Sequence, residues 1–68
     1  MNKKKINGKL YNEHGPFYCP NGLSWNDFNS MIKLVRIAGN SVRVKKYPLK
    51  NDMFGNTDQV WYYARGIS

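Results

Sequence analysis

The strongest hydrophobic pattern in the chain is that of an amphipathic helix starting at Trp25. From this residue onward, apolar side chains recur at helical spacing and share one side of a helical wheel, while polar side chains take the other. The apolar set is Trp25, Phe28, Met31, Ile32, Leu34, Val35 and Ala38. Gly39-Asn40 follows and supplies the left-handed residue that commonly closes a helix. The pattern predicts a helix of about three to four turns with one buried face.

Local capping signals mark the start of this helix. Ser24 can accept hydrogen bonds from the free amides of the first turn, and Asp27 can reach back as an Asp variant of the capping box. Leu23 and Phe28 stand at the positions of a hydrophobic staple. The sequence therefore specifies both the start and the direction of the helix.

Two segments after the helix carry the pattern of strands. Residues 41–47 alternate apolar and charged side chains with a period of two and end at Pro48, which is typical of a half-buried strand. Residues 60–65 consist of strong strand formers and can pair antiparallel with the first segment. The connection between them, residues 49–59, is long for a hairpin, and such loops are usually functional or disordered.

The N-terminal part gives weaker signals. Residues 5–11 alternate only weakly, and Asn7-Gly8 interrupts them with a dipeptide that fits a tight hairpin turn. A hairpin pairing Leu10-Tyr11 with Phe17-Tyr18 is an alternative, because His14-Gly15-Pro16 favours a turn. The whole pattern predicts an α+β fold in which one amphipathic helix packs on a small antiparallel sheet of about three to four strands. The element order is β-α-β-β, with or without an N-terminal hairpin.

Size and cysteine content narrow the function classes. The 68 residues are expected to form one small basic domain, residues 1–68, which buries only about 60% of the surface of the unfolded chain. The single cysteine, Cys19, cannot form an internal disulfide, so we expect an intracellular, cytoplasmic protein. The longest apolar run, residues 60–64, is too short to span a bilayer. We therefore expect neither a targeting segment nor a membrane partner.

The charge balance points to an anionic partner. Eleven Lys and Arg residues against four Asp and Glu residues give a net charge of +7, which nucleic acid or an acidic protein face would neutralise. The alternative is that the surplus only maintains solubility. Residues 1–5 are expected to form a flexible basic arm, whose Lys3, Lys4 and Lys5 either lie along phosphates or stay solvated.

Basic and aromatic residues can share one face of the predicted sheet. Val60, Tyr62 and Ala64 face the helix in one arrangement of the last strand, and the reverse arrangement stays open because both sides of this strand are apolar. The first arrangement forms a platform of cations and rings suited to single-stranded nucleic acid, whereas the second puts Trp61 in the core. The candidate binding residues on the strands are Arg43, Lys45, Lys46, Tyr47, Trp61, Tyr63 and Arg65.

Phe54 is a further candidate, in the long connection. An aromatic residue in polar surroundings can anchor a partner, or it can fold back to complete the core. Glu13, His14 and Cys19 are the one trio that suggests thiol chemistry, but no oxyanion hole accompanies them. One His, one Cys and four dispersed carboxylates give no metal-ligand spacing. We expect no enzymatic activity, metal or cofactor.

Two functions fit these features. The first is a small binding protein of the virus- or mobile-element type, an inhibitor or modulator that binds an acidic protein surface or a nucleoprotein complex through the basic and aromatic sheet face and the long loop. The second is a single-stranded nucleic-acid-binding module that uses Lys and Arg for phosphates and Tyr and Trp for stacking. The first is preferred by a small margin, because no base-reading motif is recognised. Monomer and homodimer both remain open.

Overall fold

The protein is described by a computed structural model that covers residues 2–49 and 57–67. These residues form a four-stranded antiparallel sheet and one helix that packs on one side of it. The elements are β1 (Lys3–Ile6), β2 (Lys9–Cys19), α1 (Trp25–Ile37), β3 (Asn40–Leu49) and β4 (Thr57–Gly66). The sheet order β1-β2-β4-β3 places β4 between β2 and β3. The predicted α+β class, with one helix on a small antiparallel sheet, is confirmed.

The first two strands form a hairpin around Asn7-Gly8. Asn7 has a φ of 51° and Gly8 a φ of 79°, the positive values that a tight two-residue hairpin turn requires. The structure thus places Lys3, Lys4 and Lys5 in a paired strand, where the sequence suggested a flexible arm. The alternative hairpin closed at His14-Gly15-Pro16 is absent from the described residues, because this tripeptide continues strand β2.

The helix begins where its capping signals predict. The Ser24 hydroxyl accepts a hydrogen bond from the backbone N–H of Asp27 at 3.1 Å. Phe28 and Ile32 are the buried residues of the helix, on the side that packs on the sheet. Leu34, which the helical wheel places on the apolar side, is 67% exposed. A single helix lying on a sheet buries a stripe centred on Phe28 and Ile32, and Leu34 lies beside that stripe.

The core fills the space between α1 and the sheet. Val60, Tyr62 and Ala64 of β4 pack there with Phe28 of the helix. The ring of Phe17 lies 5.8 Å, centre to centre, from the rings of both Phe28 and Tyr62. The first of the two arrangements considered for β4 is therefore the one that forms, and the residues alternating with Val60, Tyr62 and Ala64 lie on the opposite side.

Candidate nucleic-acid interface

The side of the sheet turned away from α1 is left uncovered by the described part of the chain, and we name it the open face. Residues paired directly across neighbouring strands project to the same side of a sheet. Arg43 pairs with Tyr63, and Lys45 pairs with Trp61. Because Tyr62 faces the helix, both pairs lie on the open face. This face brings together Arg43, Lys45, Tyr47, Trp61, Tyr63 and Arg65.

Strand β2 adds two tyrosines to the open face that were not among the predicted site residues, Tyr11 and, through a β-bulge, Tyr18. Tyr11 and Tyr18 are seven positions apart, and strict alternation puts residues at an odd spacing on opposite sides of the sheet. The register between β2 and β4 shifts between His14 and Phe17, where one extra residue is accommodated. The shift returns Tyr18 to the open face. A period-two pattern cannot reveal this without knowledge of the bulge.

One half of the open face consists of tyrosine rings beneath long cations. Tyr11 is 4% exposed and Tyr63 is 2% exposed, although neither faces the helix. The Lys4 ammonium lies 5.4 Å from the centre of the Tyr63 ring. Long cationic side chains cover apolar surface with their stems and keep their charges in water. We name this group the covered half: Tyr11, Tyr63, Lys4, Arg43 and Arg65.

The pKa values of the two buried tyrosines move in opposite directions. Hydrogen bonds from Arg43 and then from Ser41 lower the pKa of Tyr11, because they stabilise its ionised form. Burial raises the pKa of Tyr63, and the nearby charge of Glu13 adds to the rise. The Arg43 guanidinium thus lies beside the Tyr11 hydroxyl on the covered half.

The other half of the open face presents aromatic rings to solvent. Tyr18 is 41% exposed and Tyr47 is 43% exposed, and both pair with Gln59 from neighbouring strands. Trp61 lies beside them and is half-buried. A Cβ atom on Gly15 would stand 2.9 Å from Cε3 of Trp61, so the indole lies directly on the Gly15 backbone. We name Tyr18, Tyr47 and Trp61 the ring platform.

A glutamine occupies the middle of the ring platform. The Trp61 indole N–H donates to Oε1 of Gln59 at 3.2 Å, and Nε2 of Gln59 donates to the Tyr18 hydroxyl at 3.4 Å. An indole N–H can only donate, so the carbonyl oxygen of the amide must be the atom facing Trp61. The amide is therefore held in one orientation.

Several predicted site residues lie elsewhere. Lys46 projects to the helix side, where its ammonium lies 4.7 Å from the centre of the Trp25 ring. Lys4 pairs with Tyr11 and shares the open face, whereas its neighbours Lys3 and Lys5 alternate to the helix side. Phe54 lies outside the described residues. The open face thus holds seven of the eleven predicted binding residues, the six named with it above and Lys4.

The residues considered for thiol chemistry are not brought together. His14 stacks on Tyr62 at 4.6 Å on the helix side, and Cys19 is completely buried there, whereas Glu13 pairs with Tyr63 on the open face. Burial raises the pKa of the Cys19 thiol, which is typical of a core cysteine rather than a nucleophile.

Within residues 2–49 and 57–67, no cluster of three or more His, Cys, Asp and Glu residues could hold a metal ion. No helix among them is long and apolar enough to cross a membrane.

The open face therefore combines two surfaces of different chemistry. The covered half offers Lys4 above the buried Tyr63 ring and Arg43 beside the Tyr11 hydroxyl, and the ring platform offers flat aromatic faces around one oriented amide. Adjacent strands lie about 4.8 Å apart, so both surfaces fall within the span of a few nucleotides. Comparison of the chain with protein families, curated proteins and solved structures finds no match.

Proposed function

We propose that the protein is a non-enzymatic binding protein whose open face binds single-stranded nucleic acid. The observation that supports the proposal is the division of one uncovered sheet face into the covered half and the ring platform. A single strand carries phosphates along its backbone and bases with free faces, so it can meet both surfaces at once. A duplex hides its base faces and can use only the cations.

The two halves contribute to binding in different ways. Each base that stacks on an exposed ring contributes about 1–3 kcal/mol, and Tyr18 and Tyr47 have the exposure that stacking requires. Phosphates bound by Arg43 and Lys45 release counterions, which makes affinity fall as salt rises. Tyr63 is too deeply buried to stack on a base, and its role is to support the Lys4 cation above it.

A pair of charge variants tests where the nucleic acid binds. Lys45 lies on the open face, whereas Lys33 is exposed on α1, on the other side of the sheet. Lys45→Ala and Lys33→Ala remove the same charge, so attraction to total charge alone predicts equal effects. We expect Lys45→Ala to weaken binding and to reduce the slope of log affinity against log salt by about one, and Lys33→Ala to change neither.

The measurement is fluorescence anisotropy of a labelled oligo-dT over a series of salt concentrations. An equal loss of affinity in the two variants would mean that the net charge attracts the strand and that the open face is not its binding site. Salt-independent binding would remove the role assigned to the cations.

An acidic protein surface is the second candidate for the same face. The two tyrosines exposed beside Lys45 are the kind of residue that anchors protein interfaces, which supports the inhibitor hypothesis. The single strand is preferred because flat rings next to anchored cations match its alternating bases and phosphates. A pull-down from native cells with and without nuclease separates the two: loss of the partner on nuclease treatment favours nucleic acid, and retention favours protein.

A further inference from the structure

We infer that Gln59 reads the base held on the ring platform and that it favours adenine. The inference rests on the proposed binding of single strands and adds a base preference to it. Gln59 lies between Tyr18 on one neighbouring strand and Tyr47 on the other. A base stacked on either ring turns an edge toward the amide. Gln59 is also half-buried, with its polar atoms among apolar rings, where a hydrogen bond is stronger than in water.

The amide is oriented before a ligand binds. The Trp61 indole N–H donates a hydrogen bond to the amide oxygen, and the Tyr18 hydroxyl accepts one from the amide nitrogen. A carbonyl oxygen has two lone pairs and an amide nitrogen has two hydrogens, so one acceptor site and one donor site remain. These two sites belong to adjacent atoms of one amide, so together they can serve as a donor–acceptor pair for a base edge. Such preorganisation reduces the entropy lost on binding, and it makes the pair selective.

Adenine matches this pair better than the other bases. Its N6 amino group can donate to the glutamine oxygen while N7 accepts from the amide hydrogen, the pairing by which glutamine commonly reads adenine. The Watson–Crick edge of adenine, with N6 beside N1, offers the same order. The N7 and O6 atoms of guanine are both acceptors, which suit arginine or lysine, so of these two edges only its Watson–Crick edge, with O6 beside N1–H, matches the amide. A pyrimidine presents a matching pair on its Watson–Crick edge alone.

Short oligonucleotides test the inference directly. The probes are oligo-dT strands of about eight residues, a length within the range bound by one small domain, in which the two central residues are dT, dC or dA. We expect the wild-type protein to bind the dA-containing strand about five-fold or more tightly than the all-dT strand, the discrimination of one bidentate pair. Dissociation constants are measured by fluorescence anisotropy.

Gln59→Met and Gln59→Glu separate base reading from structural support. Methionine keeps the length of the side chain and removes the amide, so this variant is expected to bind the dA-containing strand no more tightly than the all-dT strand. Glutamate replaces the donor with a second acceptor, so it is expected to lose the preference and to bind every strand more weakly. Thermal unfolding of both variants verifies that they are folded.

Each outcome decides between the inference and the function on which it rests. If the wild-type protein binds the three strands equally, base reading is refuted and single-strand binding stands. If Gln59→Met weakens binding to all three by one factor and keeps their ratio, Gln59 only supports Trp61, and base reading is again refuted. If no strand binds at all, the proposed function itself fails.

Discussion

At the scale of single residues, the ring platform depends on a glycine. Gly15 has a φ of 144°, a conformation that residues with an L side chain rarely adopt, and the Trp61 indole occupies the space where a side chain would stand. Pro16 follows it within the β-bulge, and the pair stands opposite Trp61 on β4. The sequence predicts a turn at this dipeptide, since Gly and Pro favour turns and bulges alike. Only the pairing of β2 with β4 shows that the dipeptide forms a bulge and not a turn.

Gly15→Ala is expected to destabilise the fold for two reasons, each worth about 1–3 kcal/mol: the strained φ and the clash with Trp61. Gly39→Ala is the matched control, because Gly39 also has a positive φ, 96°, but no atom within 4 Å of the added carbon. Urea unfolding of both variants should show the larger loss for Gly15→Ala. Equal losses would mean that the indole does not rest on Gly15.

At the scale of elements, most of the fold could be predicted from the chain, and the exceptions have physical causes. Local signals at Ser24 and Asp27 predict the start of the helix, which extends from Trp25 to Ile37 in the structure. The predicted strand ending at Pro48 instead includes that proline and extends to Leu49. Proline is tolerated there because β3 is an edge strand, where one side of the backbone needs no partner.

The candidate site was less predictable than the elements that carry it. The sequence could not show which side of β4 packs against the helix, because both of its sides are apolar. Packing against α1 buries the side that carries Val60, Tyr62 and Ala64. Tyr63 then lies on the predicted side but is buried, since Lys4 from a different strand covers its ring. Such cover depends on which strands become neighbours, and the order β1-β2-β4-β3 is not encoded in any local pattern.

The packing of α1 gives a prediction at the same scale. Ile32 is 4% exposed in the core, whereas Leu34, two residues along, is 67% exposed. Ile32→Ala is expected to lower the free energy of unfolding by about 2–5 kcal/mol, and Leu34→Ala by less than about 1 kcal/mol. Chemical denaturation of the two variants checks this. A comparable loss for Leu34→Ala would show that the outer side of the helix is covered in solution.

At the scale of the whole molecule, cations lie on both sides of the sheet, whereas the two most exposed aromatic rings of the described residues, Tyr18 and Tyr47, lie on the open face. Cations lie on the helix side at Lys33 and Lys46 as well as on the open face at Lys45. The net charge of +7 therefore attracts anions from every direction and raises the rate of encounter. The ring platform lies on one side only, so under the proposed function we expect the rings, rather than the charges, to determine where a single strand binds.

The distinction between charge and rings leads to a prediction about single and double strands. A duplex carries twice as many phosphates as a single strand of the same length, so binding by charge alone would favour the duplex. Because the ring platform needs free base faces, we expect the protein to prefer the single strand. Tyr47→Ala is expected to lose about 1–3 kcal/mol of binding free energy toward the single strand and little toward the duplex.

Tyr47→Phe is the matched control, because it keeps the ring and removes only the hydroxyl; it should bind the single strand as the wild-type protein does. Anisotropy titrations of both variants against a single strand and its duplex give the four affinities needed. Stacking predicts that the preference for the single strand follows the ring and not the hydroxyl. If Tyr47→Ala weakens binding to the single strand and to the duplex by the same factor, the rings do not stack on bases. If the wild-type protein prefers the duplex, the open face binds nucleic acid through its cations alone.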